Sequence, residues 1–193
     1  MLMKFDQTTF PDATNVVSLA TAKNHLRVDH DTDDTLITSL ISVAQEVVQK
    51  YTGTFLQRTN GVIRHDHFHD FMDLFVGVDV NINVTETNGV AYVNKNSLET
   101  SVGAKDYQFD GKDYPARLRM LDIPQDVKDE LNAVRIYVTC GYDSTTLPSA
   151  LVSAMLLIIG HLYENRQDVT RFKQHEIPMS SQYLMNPYRL KSF

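Results

Sequence analysis

The stretch from Pro148 to Arg166 constrains the fold most, because it is apolar on more than one side of a helix. Its apolar residues recur at three- and four-residue steps, which places them on two neighbouring stripes. One stripe is Leu151, Ala154, Met155, Ile158 and Leu162, and the other is Val152, Leu156, Ile159 and Tyr163. The run from Ala150 to Tyr163 has 14 residues, fewer than the ~20 that a membrane span requires. We therefore predict a helix buried on two faces, either as the central core helix of one chain or with one face against a neighbouring subunit.

Two further helices are predicted near the N-terminus. A short helix begins at Ser18 and ends near Val28. A longer one begins at Asp31 or Thr32, either of which can cap its first turn, and ends at Gly53, which can leave a helix in a left-handed conformation. Its apolar residues at helical spacing are Leu36, Ile37, Leu40, Ile41, Ala44, Val47, Val48 and Tyr51. This amphipathic pair must bury its apolar stripe against a partner, and the helix at 148–166 is the expected one.

Between these helical segments the periodicity alternates, as it does in β-strands. The segment Val80–Val84 alternates apolar with polar residues, and Asn88-Gly89 precedes Val90–Val93. Asn-Gly tolerates the positive φ angles of a type I′ turn, so this pattern predicts a β-hairpin. Further strands are predicted at 55–64, 107–109, 117–121 and 134–139.

The order of helices, strands and a final helix predicts an α+β fold rather than repeated βαβ units. We expect a small α-helical bundle built from residues 18–53 and 147–166, at the two ends of the chain. A large antiparallel, strand-rich module at 54–146 is inserted between them. Residues 1–17 are expected to form an arm, and residues 167–193 an extended C-terminal tail with a short helix.

Charge and cysteine content exclude some classes of function. The 193 residues carry 18 Lys and Arg against 24 Asp and Glu, a formal net charge of −6. This balance argues against a dedicated nucleic-acid-binding surface that works by neutralising phosphates. Cys140 is the single cysteine, so an intrachain disulfide is impossible and assembly in a reducing interior is favoured. The opening residues Met1–Asp6 lack a signal-peptide pattern.

One local run of histidines is a candidate metal site. If the segment is a strand, His65, His67 and His69 share a face and could bind zinc or nickel. Metal sites usually take ligands from more than one element, so a polar surface strand or loop is the favoured interpretation. Cys140, which precedes Gly141 at the end of a predicted strand, is expected to pack in the core as a small apolar residue and not to act as a nucleophile. The sequence contains no nucleophile elbow, phosphate-binding glycine loop or paired-cysteine motif, and we predict no cofactor and no enzymatic activity.

The C-terminal segment combines basic and aromatic residues on an acidic protein. From Glu164 onward there are five Lys or Arg against three acids, and a short helix is predicted between Pro178 and Pro187. Its aromatic and apolar residues include Tyr183, Leu184, Met185, Tyr188 and Phe193. Such a segment either folds back onto its own core or is reserved for a partner.

Both ends of the chain resemble a known family. The run from Ser18 to Asp29, reading Ser-Leu-Ala-x-Ala-Lys-x-His-Leu-Arg-Val-Asp, is followed by Asp33-Asp34-x-Leu36-Ile37 and Tyr51-Thr52-Gly53. These motifs resemble the opening of the head-tail connector (adaptor) proteins of long-tailed double-stranded DNA bacteriophages and prophages. Leu147-Pro148-x-Ala150-Leu151-x-x-Ala154, His161–Arg166 and the terminal Leu184-x-x-Pro187-Tyr188-Arg189 are similar to later motifs of that family.

The resemblance implies a structural role at the virion neck, assembled in the host cytoplasm. Such proteins form a ring of about twelve copies below the portal, which extends the DNA channel and offers its far side to stopper or tail-completion proteins. Genomic double-stranded DNA would pass through without sequence-specific binding. The expected subunit contact is Val152, Leu156, Ile159 and Tyr163, and the expected portal-docking residues are Tyr183, Leu184, Met185, Pro187, Tyr188 and Arg189.

Two other functions are kept as alternatives. A different neck or tail-completion virion protein would attach on the tail side without contacting the portal. A metal-dependent enzyme would hold stoichiometric metal at His65, His67 and His69.

Overall fold

The computed structural model describes residues 4–9, 15–83, 89–166 and 179–190. These divide into two compact units. Residues 15–56, 143–166 and 179–190 form what we call the helical unit, and residues 4–9, 57–83 and 89–142 form the β unit. The α+β class predicted from the order of patterns is therefore confirmed. Within the described ranges, no helix is both long enough and apolar enough to cross a membrane.

The helical unit contains four α-helices, of which α3 contacts the other three. Their bounds are α1 Leu19–Leu26, α2 Asp34–Thr52, α3 Ser149–Glu164 and α4 Met179–Met185, the last followed by a 3-10 turn at Asn186–Tyr188. The three helices predicted at 18–28, 31–53 and 148–166 are all present, with bounds shorter by a few residues at their ends.

Helix α2 forms where its apolar spacing and its terminal glycine predict it. Ile37, Ile41, Ala44 and Val48 lie on one stripe and are at most 1% exposed. Burying an aliphatic side chain of this size stabilises the fold by about 1.5–3 kcal/mol. The helix ends at Gly53, whose φ of 75° is left-handed and whose N–H donates to the carbonyl of Gln49.

Helix α3 is buried along one broad face. Its fully buried residues are Leu151, Ala154, Met155, Ile158 and Ile159. Ile159 was predicted on the second stripe, yet it is 0% exposed and belongs to the core of the unit. Neighbouring stripes merge here because α2 and α4 both pack against α3.

The β unit contains a larger, wholly antiparallel sheet centred on strand β9, Val134–Cys140. Strand β2, Thr59–His65, pairs along one edge of β9 and carries β1, Lys4–Thr9, on its own far side. The other edge of β9 pairs with β5, Val90–Val93, and with β4, Asn81–Ile82; β6, Glu99–Ser101, extends the sheet beyond β5. Strand β1 lies within the segment that we expected to be an arm.

Strand β9 shows why the alternating pattern identified it. Val134, Ile136, Val138 and Cys140 are all 0% exposed and point to one face, while the residues between them are half-buried. The prediction for 134–139 is confirmed, because successive side chains of a strand point to opposite faces and one face of β9 is buried.

A smaller antiparallel sheet has the order β3-β8-β7. Its strands are β3 Phe71–Leu74, β7 Tyr107–Asp110 and β8 Ala116–Met120. Ala116, Leu118 and Met120 are buried on one face, while Arg117 and Arg119 are exposed on the other. Strand β3 was not predicted, because the exposed aromatic Phe71 interrupts the alternation of apolar and polar residues.

The predicted hairpin around Asn88-Gly89 is wrong for the described residues. Strands β4 and β5 both pair with β9 instead of with each other. The N–H of Asn83 donates to the carbonyl of Tyr137 at 2.8 Å, and the N–H of Tyr137 donates to the carbonyl of Gly89 at 2.7 Å. Asn83 and Gly89 therefore both bond to Tyr137 of β9, and residues 84–88, Asn88 among them, lie outside the described residues. Long-range pairing with the buried strand outweighed the local turn signal.

We expect Ile136→Ala to destabilise the protein by about 2–5 kcal/mol, because it leaves a cavity on the fully buried face of the central strand β9. Leu131→Ala is the matched control, since Leu131 is 78% exposed and its truncation should change stability by no more than about 0.5 kcal/mol. Denaturant unfolding followed by circular dichroism measures both. Similar losses from the two variants would contradict the assignment of the core.

Candidate assembly surfaces

The predicted contact stripe on α3 is only partly open. Val152 and Leu156 are half-buried, and Ile159 is fully buried inside the helical unit. Tyr163 is half-buried, and its hydroxyl donates to the carboxylate of Asp33, just before α2. The part of the stripe that remains accessible to another molecule is thus centred on Val152 and Leu156.

Helix α2 carries a second open apolar row. Leu36, Leu40 and Val47 are half-buried, and Val43 is 44% exposed. The sequence pattern placed most of these residues on the same stripe as the buried ones. Only packing separates them, because the row at Ile37 and Ile41 faces the core and the adjacent row does not.

Asp33 joins the start of α2 to the end of α3. Its Oδ2 accepts a hydrogen bond from the Tyr163 hydroxyl at 2.5 Å and another from Nη2 of Arg166 at 2.9 Å. The Arg166 guanidinium also lies over the Tyr163 ring, 4.7 Å from its centroid. The hydrogen bond from Tyr163, followed by the one from Arg166, holds the pKa of Asp33 below its usual range, and the same bond raises the pKa of Tyr163.

This arrangement corrects the predicted role of the acids at the start of α2. The residue that precedes the helix is Asp33 rather than Asp31 or Thr32, and its side chain makes no capping hydrogen bond. It binds α3 instead. The sequence shows an acid, Asp33, at the start of α2 and the pair Tyr163 and Arg166 at the end of α3. Nothing in the local sequence indicates that these two helix ends lie together.

Lys23 ties α1 to the same region. Its Nζ donates to Oδ1 of Asp31 and to Oδ1 of Asp34, both at 2.7 Å. The hydrogen bond to Asp31, then the one to Asp34, raises the pKa of Lys23, while the bond from Lys23 lowers the pKa of Asp31. The acids around the start of α2 are therefore used to join three helices.

The predicted docking residues near the C-terminus are divided between buried and exposed positions. Met185 is 0% exposed and anchors α4 in the helical unit. Leu184 and Tyr188 are half-buried, whereas Pro187 and Arg189 are exposed. Tyr183 is also open, with 78% of its surface exposed.

Helix α4 is held back against the helical unit by contacts on both sides of the 3-10 turn. The Tyr51 hydroxyl donates to Oδ1 of Asn186 at 2.7 Å, and the N–H of Leu190 donates to the carbonyl of Thr52 at 2.8 Å. The Arg189 guanidinium lies 5.5 Å from the centroid of the Tyr51 ring. Of the two interpretations of this segment, folding back onto its own core describes residues 179–190.

The structure does not bring the candidate metal ligands together. Strand β2 ends at His65, so His67 and His69 follow it in a loop instead of sharing its face. Burial lowers the pKa of His65, and His67 is exposed near Asp129. Within the described ranges, no three His, Cys, Asp or Glu side chains are grouped to hold a metal ion.

Cys140 is placed for packing. It is 0% exposed, and burial raises the pKa of its thiol to about 12. A thiol in this state is protonated at neutral pH and is a poor nucleophile.

The helical unit thus leaves two rows of partly exposed apolar residues, one at Val43 on α2 and one at Val152 and Leu156 on α3. Residues 16–106 match the family of phage gp6-like head-tail connector proteins. This match confirms the predicted resemblance, and it confirms the prediction of a structural protein rather than an enzyme. It ends before β7, so the resemblance of 147–166 and 184–189 to later motifs of the family stays a prediction. Among curated proteins, none matches the chain.

The fold is similar to those of three chains in solved particle structures. A chain in the neck of an empty gene transfer agent (GTA) particle, computed with C6 symmetry, matches with a TM-score of 0.71 and 19% identity, over 100% of this chain and 97% of that chain. A chain in the virion of a native GTA particle gives 0.72 and 19%, over 98% and 96%. A chain in the neck of a native GTA particle, computed with C12 symmetry, gives 0.64 and 16%, over 100% and 97%. These likenesses extend to both units of the fold.

We expect Asp33→Asn to lower the melting temperature at pH 7, because it removes the charge that binds Arg166. The wild-type carboxylate has a lowered pKa in the folded state, so its contribution is present above the unfolded pKa of about 3.9 and is lost as the pH falls below it. The difference between variant and wild type should therefore shrink towards pH 2 in thermal melts. Asp29→Asn, at an exposed position, is the control. A difference that stays constant from pH 7 to pH 2 would contradict this role of the Asp33 charge.

Proposed function

We propose that this chain is a structural head-tail connector of a tailed, phage-type particle. Copies of the chain form a ring of about twelve beneath the portal, extend the DNA channel, and join the capsid to stopper or tail-completion proteins. The observation that carries this proposal is the family match over residues 16–106, which spans α1 and α2 of the helical unit. The particle structures of similar fold, described as necks or virions, support the same location at the neck.

The helical unit is proposed to form the wall of the ring. A ring of more than two copies requires a head-to-tail interface, in which two different patches of each copy meet. The open rows on α2 and α3 supply two such patches, centred on Val43 and on Val152 with Leu156. Ile159 packs in the core beneath the α3 patch. Tyr163 holds the C-terminal end of α3 in place through its hydrogen bond to Asp33.

The exposed side of the C-terminal segment is proposed to dock on the portal. Tyr183, Pro187 and Arg189 are open to a partner, with Leu184 and Tyr188 half-buried beside them. Met185 acts from beneath by holding α4 in place. A preformed docking segment needs no ordering on binding, which reduces the entropic cost of association.

The channel function agrees with the overall charge. A net charge of −6 repels phosphate and allows double-stranded DNA to pass without sequence-specific binding. The strand-rich part of the chain, predicted as a module at 54–146, is proposed to face the tail side. The particle would assemble in the host cytoplasm, where the single thiol of Cys140 stays reduced.

A second candidate is another neck or tail-completion protein. It is favoured by the same similar folds, since one of the matched structures is described only as a virion and does not specify the neck. This candidate predicts attachment on the tail side without portal contact. Binding of the purified chain to isolated portal rings separates the two functions.

We expect Leu156→Asp to abolish ring formation while the monomer stays folded, because it places a carboxylate in an apolar contact that excludes water. Leu157→Asp is the matched control. Leu157 is also half-buried, but it lies about 100° around the helix from Leu156. Native mass spectrometry measures the oligomers, and circular dichroism checks the fold. Rings formed equally by both variants would contradict the α3 contact.

We expect Tyr183→Ala to weaken portal binding by about tenfold or more, as truncation of an exposed aromatic anchor does at interfaces. The melting temperature should not change, since Tyr183 is 78% exposed. Deleting α4 would also remove the buried Met185, so the point substitution tests docking alone. Binding to immobilised portal rings is the measurement, with Phe75→Ala, at an exposed aromatic of the β unit, as control. Unchanged affinity would contradict the docking assignment.

A further inference from the structure

The exposed face of the smaller sheet carries an arginine beside an open aromatic ring. Phe71 of β3 is directly opposite Arg119 of β8, and Gln108 of β7 lies on the other side of Arg119. The Arg119 guanidinium sits 5.2 Å from the centroid of the Phe71 ring. Phe71 is nevertheless 66% exposed, which leaves most of its apolar surface in water.

The two arginines on this face, Arg117 and Arg119, differ in their ion pairs with acidic residues. Nη2 of Arg117 lies 3.2 Å from Asp110 and 3.7 Å from Asp113. Arg119 forms no ion pair with any acid in the described part of the chain, and its cross-strand neighbours are an aromatic ring and an amide. The planar edge of its guanidinium therefore remains available for a carboxylate, which it can bind through two parallel hydrogen bonds.

The same face forms a shallow groove of ≈ 510 Å³. Phe71, Gln108, Arg117 and Arg119 line it together with Asp110 and Phe109, of which Phe109 belongs to the other face of the sheet because it is directly opposite the buried Leu118. Aromatic residues and arginine are enriched at the centres of protein interfaces, where they contribute most of the binding energy. The groove thus combines an apolar anchor, a free cation and neighbouring polar groups.

We propose that this groove is a docking site for a partner protein of the neck or tail, which inserts a segment bearing a carboxylate next to an apolar side chain. The carboxylate pairs with Arg119, and the apolar side chain packs on Phe71. The proposal rests on the proposed function, because it gives the strand-rich part of the chain its tail-side partner.

Arg119, which has no acidic partner among the described residues, complements one carboxylate of a protein segment, whereas the face as a whole does not complement DNA. Two arginines share the face with three aspartates, Asp73, Asp110 and Asp113. A nucleic-acid backbone needs several unpaired cations along its path and is repelled by such carboxylates. A single carboxylate on a protein segment needs only Arg119.

The test compares Phe71→Ala and Arg119→Ala in particles assembled with each variant. Tails joined to filled heads are counted by electron microscopy, and ring formation by the purified chain is followed by native mass spectrometry. We expect rings to form normally and joined particles to fall by about tenfold or more for both variants. Lys105→Ala is the control, since Lys105 is an exposed cation of the β unit that does not line the groove, and it should change tail joining by less than about twofold.

Each outcome decides between the proposals. Normal tail joining by both variants, with normal melting temperatures, overturns the docking site and leaves the ring unaffected. Loss of packaged DNA with normal tail joining also overturns it, because it would indicate a nucleic-acid partner. Absence of the wild-type chain from the neck overturns the proposed function and the docking site with it. If Arg119→Ala lowers the melting temperature, Arg119→Gln replaces it, because it keeps a polar side chain and removes only the charge.

Discussion

Burial of helix α3 is the constraint on which the helical unit depends. This helix comes late in the chain and contacts α1, α2 and α4, so it closes a core that the two N-terminal helices alone could not form. Its buried residues, such as Leu151, Met155 and Ile159, have no exposed surface. The same packing decides what remains open on the outside, because every residue that turns towards α2 or α4 is removed from any possible contact with another copy. The surfaces proposed for assembly are the parts of α2 and α3 that this packing leaves uncovered.

The polar contacts of the helical unit reinforce the ends of its helices. Asp33 receives hydrogen bonds from Tyr163 and Arg166, and Lys23 donates to two acids near the start of α2. Ion pairs at exposed positions contribute little stability individually, so their importance lies in geometry. They connect the start of α2 to the ends of α1 and α3, and α2 and α3 are the helices that carry the partly open rows at Val43 and Leu156.

The sequence predicted more of the elements than of their pairing. Three helices and strand β9 were visible because each carries one complete apolar face at a regular period. Strand β3 was missed because Phe71 stands on the exposed face, and the hairpin at Asn88-Gly89 was predicted wrongly because local turn chemistry says nothing about a third strand. The family resemblance was found from motifs at the chain ends, and residues 16–106 carry it independently. The role of Asp33 was missed because its partners lie 130 and 133 residues away in the sequence.

By itself, the sequence determined the α+β class, the positions of the main helices, the absence of a disulfide and the resemblance to connector proteins. These follow from periodicity, residue counts and short motifs, all of which are local properties. Tertiary structure alone decided that Ile159 and Met185 are buried, that Tyr183 and Phe71 are open, and that Arg119 lacks an acidic partner among the described residues. The physical reason is that exposure and charge pairing depend on which distant segment packs against a residue. The apolar pattern of one helix does not predict which segment packs against it.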